Sequence, residues 1–256
     1  MHRNCQIEGW SKNVMNDSIQ SRFQEVTQRL QKACEKSKRK TSDITLIAVT
    51  KSQPFTSILE SYKLGITNFG ESYVQEAVKK HEAIKMNTTL DEFNNITWHF
   101  IGGLQTNKIK YLDNKFLFIH SICNQRQLAE LDKKTQYALS IFFELNVGDE
   151  NSKTGATFSE ILAVCENTLL INQKRKALGK GEFKLMGLMC IPPYSDDKQA
   201  SRKYFISLRE DLEKLNTALG TKMTGLSMGM SNDFDIAIEE GATHVRIGTA
   251  LYGERG

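Results

Sequence analysis

The sequence predicts an α/β protein built as one (β/α)8 barrel of the TIM type, with an extra helix in front. Three observations lead there. Strand-like and helix-like stretches alternate through eight successive units from Ile44 to the C-terminus. Neither a run of hairpin signals nor a Pro/Gly/Ser-rich linker interrupts them, which favours one parallel sheet. A length of 256 residues suits eight such units in a single domain, 1–256. An open doubly wound sheet is the alternative. It ordinarily carries a glycine-rich turn after its first strand, and Ser52-Gln53-Pro54 is not one.

Taken in order, Asn16 to Lys40 places Ile19, Phe23, Val26, Leu30 and Ala33 at helical spacing with a polar opposite face. Lys36, Lys38, Arg39 and Lys40 at its end complement the helix dipole. Ile44–Lys51, ITLIAVTK, is a nearly continuous apolar run, as expected of a parallel strand buried on both faces. Pro54 suits the start of the helix that follows, 55–64. Further strand–helix pairs are read at 66–69 and 71–84, 96–101 and 105–112, and 116–120 and 124–135. The remaining pairs are 139–147 and 157–170, 183–189 and 196–219, and 223–227 and 232–240. Strand 244–247 then runs into a short turn at 250–252. The polar, Asn-rich 86–95 stretch reads as a loop insertion.

Composition narrows the function classes. A hydrophobic fraction of 39% with 25% charged residues is ordinary for a globular chain, and the net charge of +4 is slight. The charge comes from local runs. Lys174, Arg175 and Lys176, beside Gly179 and Gly181, read as a solvated loop run like the one ending the first helix. Neither forms a single basic face, so no nucleic-acid partner is expected. No stretch approaches the roughly eighteen apolar residues of a membrane span. The opening MHRNCQIEGW has no apolar signal core. Cys5, Cys34, Cys123, Cys165 and Cys190 are scattered, odd in number and lack a CxxC pair. That argues for reduced thiols in a cytoplasmic setting and against a zinc site or a disulfide framework. Asn87-Thr88-Thr89 and Asn95-Ile96-Thr97 match the glycosylation pattern, as chance matches in an unsecreted chain.

Chemistry is expected at the C-terminal ends of the strands, where barrels bind their ligands. Lys51 ends the first strand there, and a lysine against dry wall loses its proton more easily, as a Schiff-base amine must. A solvent-facing lysine that happens to end a strand is the plainer alternative. In the seventh and eighth units, Ser231 precedes an apolar-periodic helix with Asp233 and Asp235 in its first turn, an N-cap pattern. Gly248 lets backbone amides approach a ligand, Thr249 adds a hydroxyl, and a short helix begins there. Barrels often bind phosphate at this place. Ordinary capping and an ordinary turn glycine would explain each position singly; together they favour a phosphate site. Arg246 shares a face with Gly248, and a guanidinium on a barrel strand needs a partner or a ligand. Asn68, Glu71 and His99 could line the mouth, although a lone strand histidine is more often structural.

A lysine ending strand one, phosphate loops after strands seven and eight, and an arginine between them suggest pyridoxal phosphate. The motifs AVTK at 48–51, FGESYVQEA at 69–77, WHFIGGLQTNK at 98–108, LSMGMSNDFDIAI from 226 and VRIGTALYG ending at 253 resemble the pyridoxal phosphate homeostasis protein family. That family is similar to the barrel domain of bacterial alanine racemase and eukaryotic ornithine decarboxylase. The resemblance runs in order from about Ile44 to the C-terminus, departing at Gly103, where proline is common, and in the Asn-rich insertion. It implies pyridoxal 5'-phosphate held as a Schiff base on Lys51, with its phosphate on Ser231, Gly248 and Thr249. It also implies that Arg246 faces the pyridine nitrogen, with Asn68 and His99 near the cofactor.

A permanently charged arginine there disfavours a proton on the ring nitrogen and weakens the ring as an electron sink. Racemization also needs proton-transfer groups on both faces of the substrate carbon. In the resembled racemases one is a tyrosine of a second domain, and only Lys51 is evident here. The resemblance therefore implies a carrier or homeostasis factor without robust catalysis. A weak racemase is the alternative, and a cofactor-free lysine aldolase a more distant one. The role implies apo-enzymes that use the cofactor as partners, and the absent dimerising domain favours a monomer.

Overall fold

A computed structural model of the chain describes residues 18–87, 95–112, 115–148 and 155–254. The N-terminal stretch with Cys5, the expected helix start at Asn16 and residues 88–94 of the Asn-rich insertion lie outside these. So does most of the Asn87-Thr88-Thr89 pattern.

Eight strands close a parallel barrel in chain order. They are β1 (Thr45–Val49), β2 (Asn68–Glu71), β3 (Thr97–Phe100), β4 (Phe118–Ile122), β5 (Leu139–Glu144), β6 (Phe183–Met189), β7 (Gly225–Met230) and β8 (His244–Ile247). The seam between β8 and β1 pairs Thr45 with His244 and Ile47 with Arg246. The helices are α1 (Ile19–Lys36), α2 (Phe55–Lys63), α3 (Val74–Asn87), α4 (Gln125–Lys134), α5 (Phe158–Ala177), α6 (Arg202–Leu219), α7 (Phe234–Glu239) and α8 (Thr249–Tyr252). The barrel with a leading helix is the architecture that the alternation predicts.

Local chemistry accounts for most of the boundaries. Asn124 with Gln127, and Thr157 with Glu160, form reciprocal capping boxes that start α4 and α5. Gly220, left-handed at φ 64°, ends α6. Three expectations are corrected. The first helix ends at Lys36 rather than Lys40, because Ser37 Oγ turns back to the Ala33 carbonyl at 2.7 Å and Lys38 is left-handed. The 105–112 segment is a 3-10 turn, Thr106–Tyr111, not an α-helix. Lys174–Lys176 belongs to the last turn of α5, not to a solvated loop.

Arg175 is the reason for the last correction. Its side chain is 1% exposed, lies over the Phe183 ring at 4.0 Å, and pairs with Asp132 at 2.9 Å. It also donates to the carbonyls of Gly181 (2.6 Å), Thr135 (3.2 Å) and Tyr137 (3.2 Å), which belong to two separate loops at the strand N-termini. Arg175→Ala is expected to cost about 3 kcal/mol, because those carbonyls lose their donor and the ring loses its cover. Urea unfolding measures it, and a change below about 1 kcal/mol would contradict this account.

The barrel interior is polar and aromatic. Gly70 allows a close approach: a Cβ there would lie 2.8 Å from Ile47 Cγ2. His99 stacks on Phe118 and His120 on Phe142, each with ring centres 4.4 Å apart, and His244 meets Phe142 edge-on. The outer layer, between sheet and helices, is conventional and includes Phe69, Phe100, Ile119, Phe143 and Phe205. Burial pushes the Cys165 and Cys190 thiols up to about 12, which leaves both unreactive at neutral pH. Among the described residues no helix is long and apolar enough to cross a membrane, and no cluster could hold a metal ion.

Candidate functional site

Past β1, Thr50 N–H donates to the Gly70 carbonyl at 3.0 Å, and the chain then reverses. Gln53 N–H closes the turn on the Thr50 carbonyl at 2.9 Å, so Lys51 and Ser52 are its central residues. Ser52 is left-handed at φ 63°. The turn places Lys51 on a cavity of about 360 Å³ at the C-terminal mouth, bordered also by Tyr73, Ile101, Gly102, Lys108 and Glu144. A side chain at Gly102 would run into the Ser72 carbonyl at 2.2 Å, so only glycine fits this wall. Lys51 also borders a small groove of about 20 Å³ with Val49, Gln53, Gly248, Thr249 and Tyr252.

Ser231 acts differently from the expected N-cap of α7. Its hydroxyl accepts from the Gly248 amide at 3.2 Å and the Ala250 amide at 3.1 Å, so it caps the short α8 after β8 instead. The N-cap of α7 is Asp233, whose carboxylate accepts from Met230 N–H at 2.8 Å. Ser231 sits one residue past β7, within reach of the amides that follow β8. Arg29 of α1 fixes it there, donating to the Ser231 carbonyl at 3.0 Å while lying over the Phe234 ring. Ser231, Gly248 and Thr249 are thus brought together, beside Lys51.

Arg246 is 4% exposed on the inner face of β8. It donates to Ser227 Oγ at 2.8 Å and to the Cys190 carbonyl at 2.9 Å, and burial lowers its pKa from the ordinary arginine value. A chain of contacts begins there. Ser227 Oγ lies 2.8 Å from His120 Nδ1, His120 Nε2 lies 3.0 Å from His99 Nδ1, and His99 Nε2 lies 3.0 Å from Asn68 Oδ1. Burial, and then the neighbouring positive groups, hold both imidazoles well below the usual histidine range, so both are neutral. With neutral rings the donors align in one direction, from Arg246 through Ser227, His120 and His99 to Asn68. His99 and Asn68 therefore lie inside the barrel, joined to Arg246 through two residues. Glu71 does not line the mouth. Lying three positions after Asn68, it faces the opposite side of β2, toward α3.

Comparisons with known proteins identify the family. Residues 19–256 match the family described as alanine racemase, N-terminal domain. A protein of Aquifex aeolicus named pyridoxal phosphate homeostasis protein is 41% identical over 237 residues, which covers 91% of this chain and 97% of that one. This chain belongs to the pyridoxal phosphate homeostasis protein family.

Its relatives include the protein of that name from Escherichia coli, 32% identical over 252 residues, or 94% of this chain and 98% of that one. PipY of Synechococcus elongatus, solved with PLP bound, superimposes with a TM-score of 0.75 at 27% identity, covering 92% of this chain and all of that one. An alanine racemase of Clostridium difficile shares the fold, with a TM-score of 0.65 at 11% identity, and this chain covers 60% of it. For this member of the homeostasis family, sequence reasoning missed Ser227 and His120, which join Arg246 to His99. Period-two alternation was the available signal, because His120 follows Phe118 and Ser227 follows Gly225 on the inward register.

Proposed function

We propose that this protein binds pyridoxal 5'-phosphate at the strand C-termini and serves intracellular homeostasis or delivery of that cofactor. One observation carries the reading: Lys51 borders both the larger cavity and the groove at Gly248 and Thr249. A ring attached to Lys51 can occupy the first while an anion meets the amides of the second. The fit is chemical as well as spatial. The amides of Gly248 and Ala250 converge on one hydroxyl oxygen, the arrangement that an anionic oxygen can share. Lys51 would hold the cofactor covalently, and Ser231, Gly248 and Thr249 would hold its phosphate. Arg246 would face the ring nitrogen, with Asn68 and His99 acting through the chain that ends on Arg246. Bound there, the cofactor supplies an aldehyde and an electron-withdrawing ring.

The residues favour holding over turnover. Arg246 is kept charged and donating, which leaves no acceptor for a ring-nitrogen proton. A racemase needs a second proton-transfer group opposite Lys51. Burial pushes the Tyr252 hydroxyl up to about 12, and it is engaged with Ser61 Oγ at 2.9 Å. Tyr252 is therefore a poor base at neutral pH. The scattered thiols, with no disulfide among the described residues, support a cytoplasmic setting. The delivery role extends to apo-enzymes as recipients, with the carrier working as a monomer.

The test is to add pyridoxal phosphate to the purified protein, reduce with borohydride and map the peptides. The expected product is a yellow protein that yields one phosphopyridoxyl group on Lys51. A colourless protein without an adduct overturns the reading. Exchange of an amino acid α-proton in deuterated buffer, lost in Lys51→Ala, would show the weak racemase instead.

A further inference from the structure

The turn that carries Lys51 is gripped from behind by a largely buried ion cluster between α3 and the end of β2. Lys80 donates to the Thr50 carbonyl at 2.5 Å and pairs with Glu71 and Glu76, both at 2.7 Å. Glu71 in turn accepts from the Thr50 hydroxyl at 2.5 Å. Glu76 accepts from Ser52 N–H at 2.6 Å. The cluster therefore holds the backbone on both sides of Lys51, the carbonyl before it and the amide after it.

Two features indicate that the grip has a purpose beyond packing. Ser52 is held left-handed, a conformation costly for a residue with a Cβ, and the bond to Glu76 is what holds its amide. Lys80 and the Glu71 side chain are taken out of water, at 7% and 0% exposure, although a strand and a helix can be packed with apolar groups at no such cost. A lysine side chain has four rotatable bonds, so its amine is directed only as well as its backbone is directed.

We propose that Glu76 and Lys80, backed by Glu71, are positioning residues that fix the Thr50–Gln53 turn and so direct the Lys51 amine into the cavity. The proposal rests on the cofactor reading for its consequence and on the geometry of the turn for its substance. Lys80 and Glu71 are poor targets, since removing either strands a buried charge and risks unfolding. Glu76 is the better one, because its side chain is 27% exposed. Glu76→Ala removes the acceptor for Ser52 N–H, whereas Glu76→Gln keeps an amide oxygen in its place.

The expected result has three parts. In Glu76→Ala, hydrogen exchange at the Ser52 amide speeds up about tenfold or more. Formation of the borohydride-trapped Lys51 adduct with pyridoxal phosphate slows about tenfold, and the visible circular dichroism of the bound cofactor weakens. The melting temperature stays within about 4 °C of the wild type. Glu76→Gln restores all of these, which a general loss of stability would not allow. If Glu76→Ala forms the adduct at the wild-type rate with unchanged dichroism, the positioning role is overturned and the cofactor reading stands. If the wild type itself forms no adduct, the cofactor reading falls. The turn is then judged by acetic anhydride labelling of Lys51 in the untreated protein. Glu76→Ala must change that labelling several-fold and Glu76→Gln must not; equal labelling in all three overturns the proposal.

Discussion

Lys51→Ala is expected to abolish the borohydride-trapped adduct and to weaken retention of pyridoxal phosphate on the order of 100-fold, about 2.7 kcal/mol. Retention does not fall to zero, because the amides at Gly248 and Ala250 and the walls of the cavity remain. Stability should hardly change, since Lys51 lies at the mouth in a turn whose backbone is held by other residues. Lys51→Arg is the informative companion. It keeps the charge but offers no amine, so it should also lose the adduct while binding the phosphate at least as well as Lys51→Ala. Equilibrium dialysis with mass mapping reads both variants. An adduct that persists in Lys51→Ala at another lysine would move the site.

Acidification between pH 6.5 and 4 is expected to remove about 6 kcal/mol of stability through His81 and His244, and more in the same direction through the buried His99 and His120. Burial, and then the charges of Lys115 and Lys85, push His81 down to about 4. Burial, and then Arg246, push His244 down to about 4. His81 packs at a tilt against Trp98 with ring centres 4.2 Å apart, and His244 Nδ1 lies 2.8 Å from Thr243 Oγ1. Both therefore fold as neutral rings. Below pH 6.5 the unfolded chain takes up protons that the folded chain refuses, so unfolding gains. The stabilisation is complete above 6.5 and is lost as pH falls toward 4, at ~1.4 kcal/mol per pH unit for each ring. A loss of this size is comparable with the whole stability of many domains. Urea midpoints at pH 7.5, 5.5 and 4.5 measure it, and equal midpoints at 7.5 and 4.5 would contradict it. His81→Phe should flatten the curve by its own share, about 3 kcal/mol.

The barrel was legible in the sequence because its signals are local. Apolar runs such as Ile44–Val49 and turn residues such as Pro54 repeat often enough that shifted boundaries do not change the topology. The positions of Lys51 and Gly248 were legible for the same reason, each standing just past the end of a strand. What escaped depends on contacts between distant residues. Ser231 carries the pattern of a cap for the next helix, yet the amides that it meets belong to residues 17 and 19 positions away. Arg175 has the composition of a surface run, and only the convergence of three loop carbonyls and the Phe183 ring makes burial favourable. His120 and Ser227 lie 107 residues apart on separate strands, and nothing in either neighbourhood names the other.

The seam between β8 and β1 has a consequence for how the chain is made. Arg39 reaches the Ile238 carbonyl across 199 residues, Arg29 reaches Ser231 across 202, and α1 packs on both α7 and α8. Elements α1 and β1 thus leave the ribosome about 200 residues before their partners, and emerge with apolar faces that those partners do not yet cover. Closure of the ring waits for β8 to be made, is slow in the way that long-range pairing is slow, and leaves the chain exposed to aggregation until it occurs. The groove beside Gly248, built from that same segment and from the turn after β1, forms only after the two have met. A nascent or truncated chain lacking its final turn can hold most of the strands and still have nowhere to place an anion.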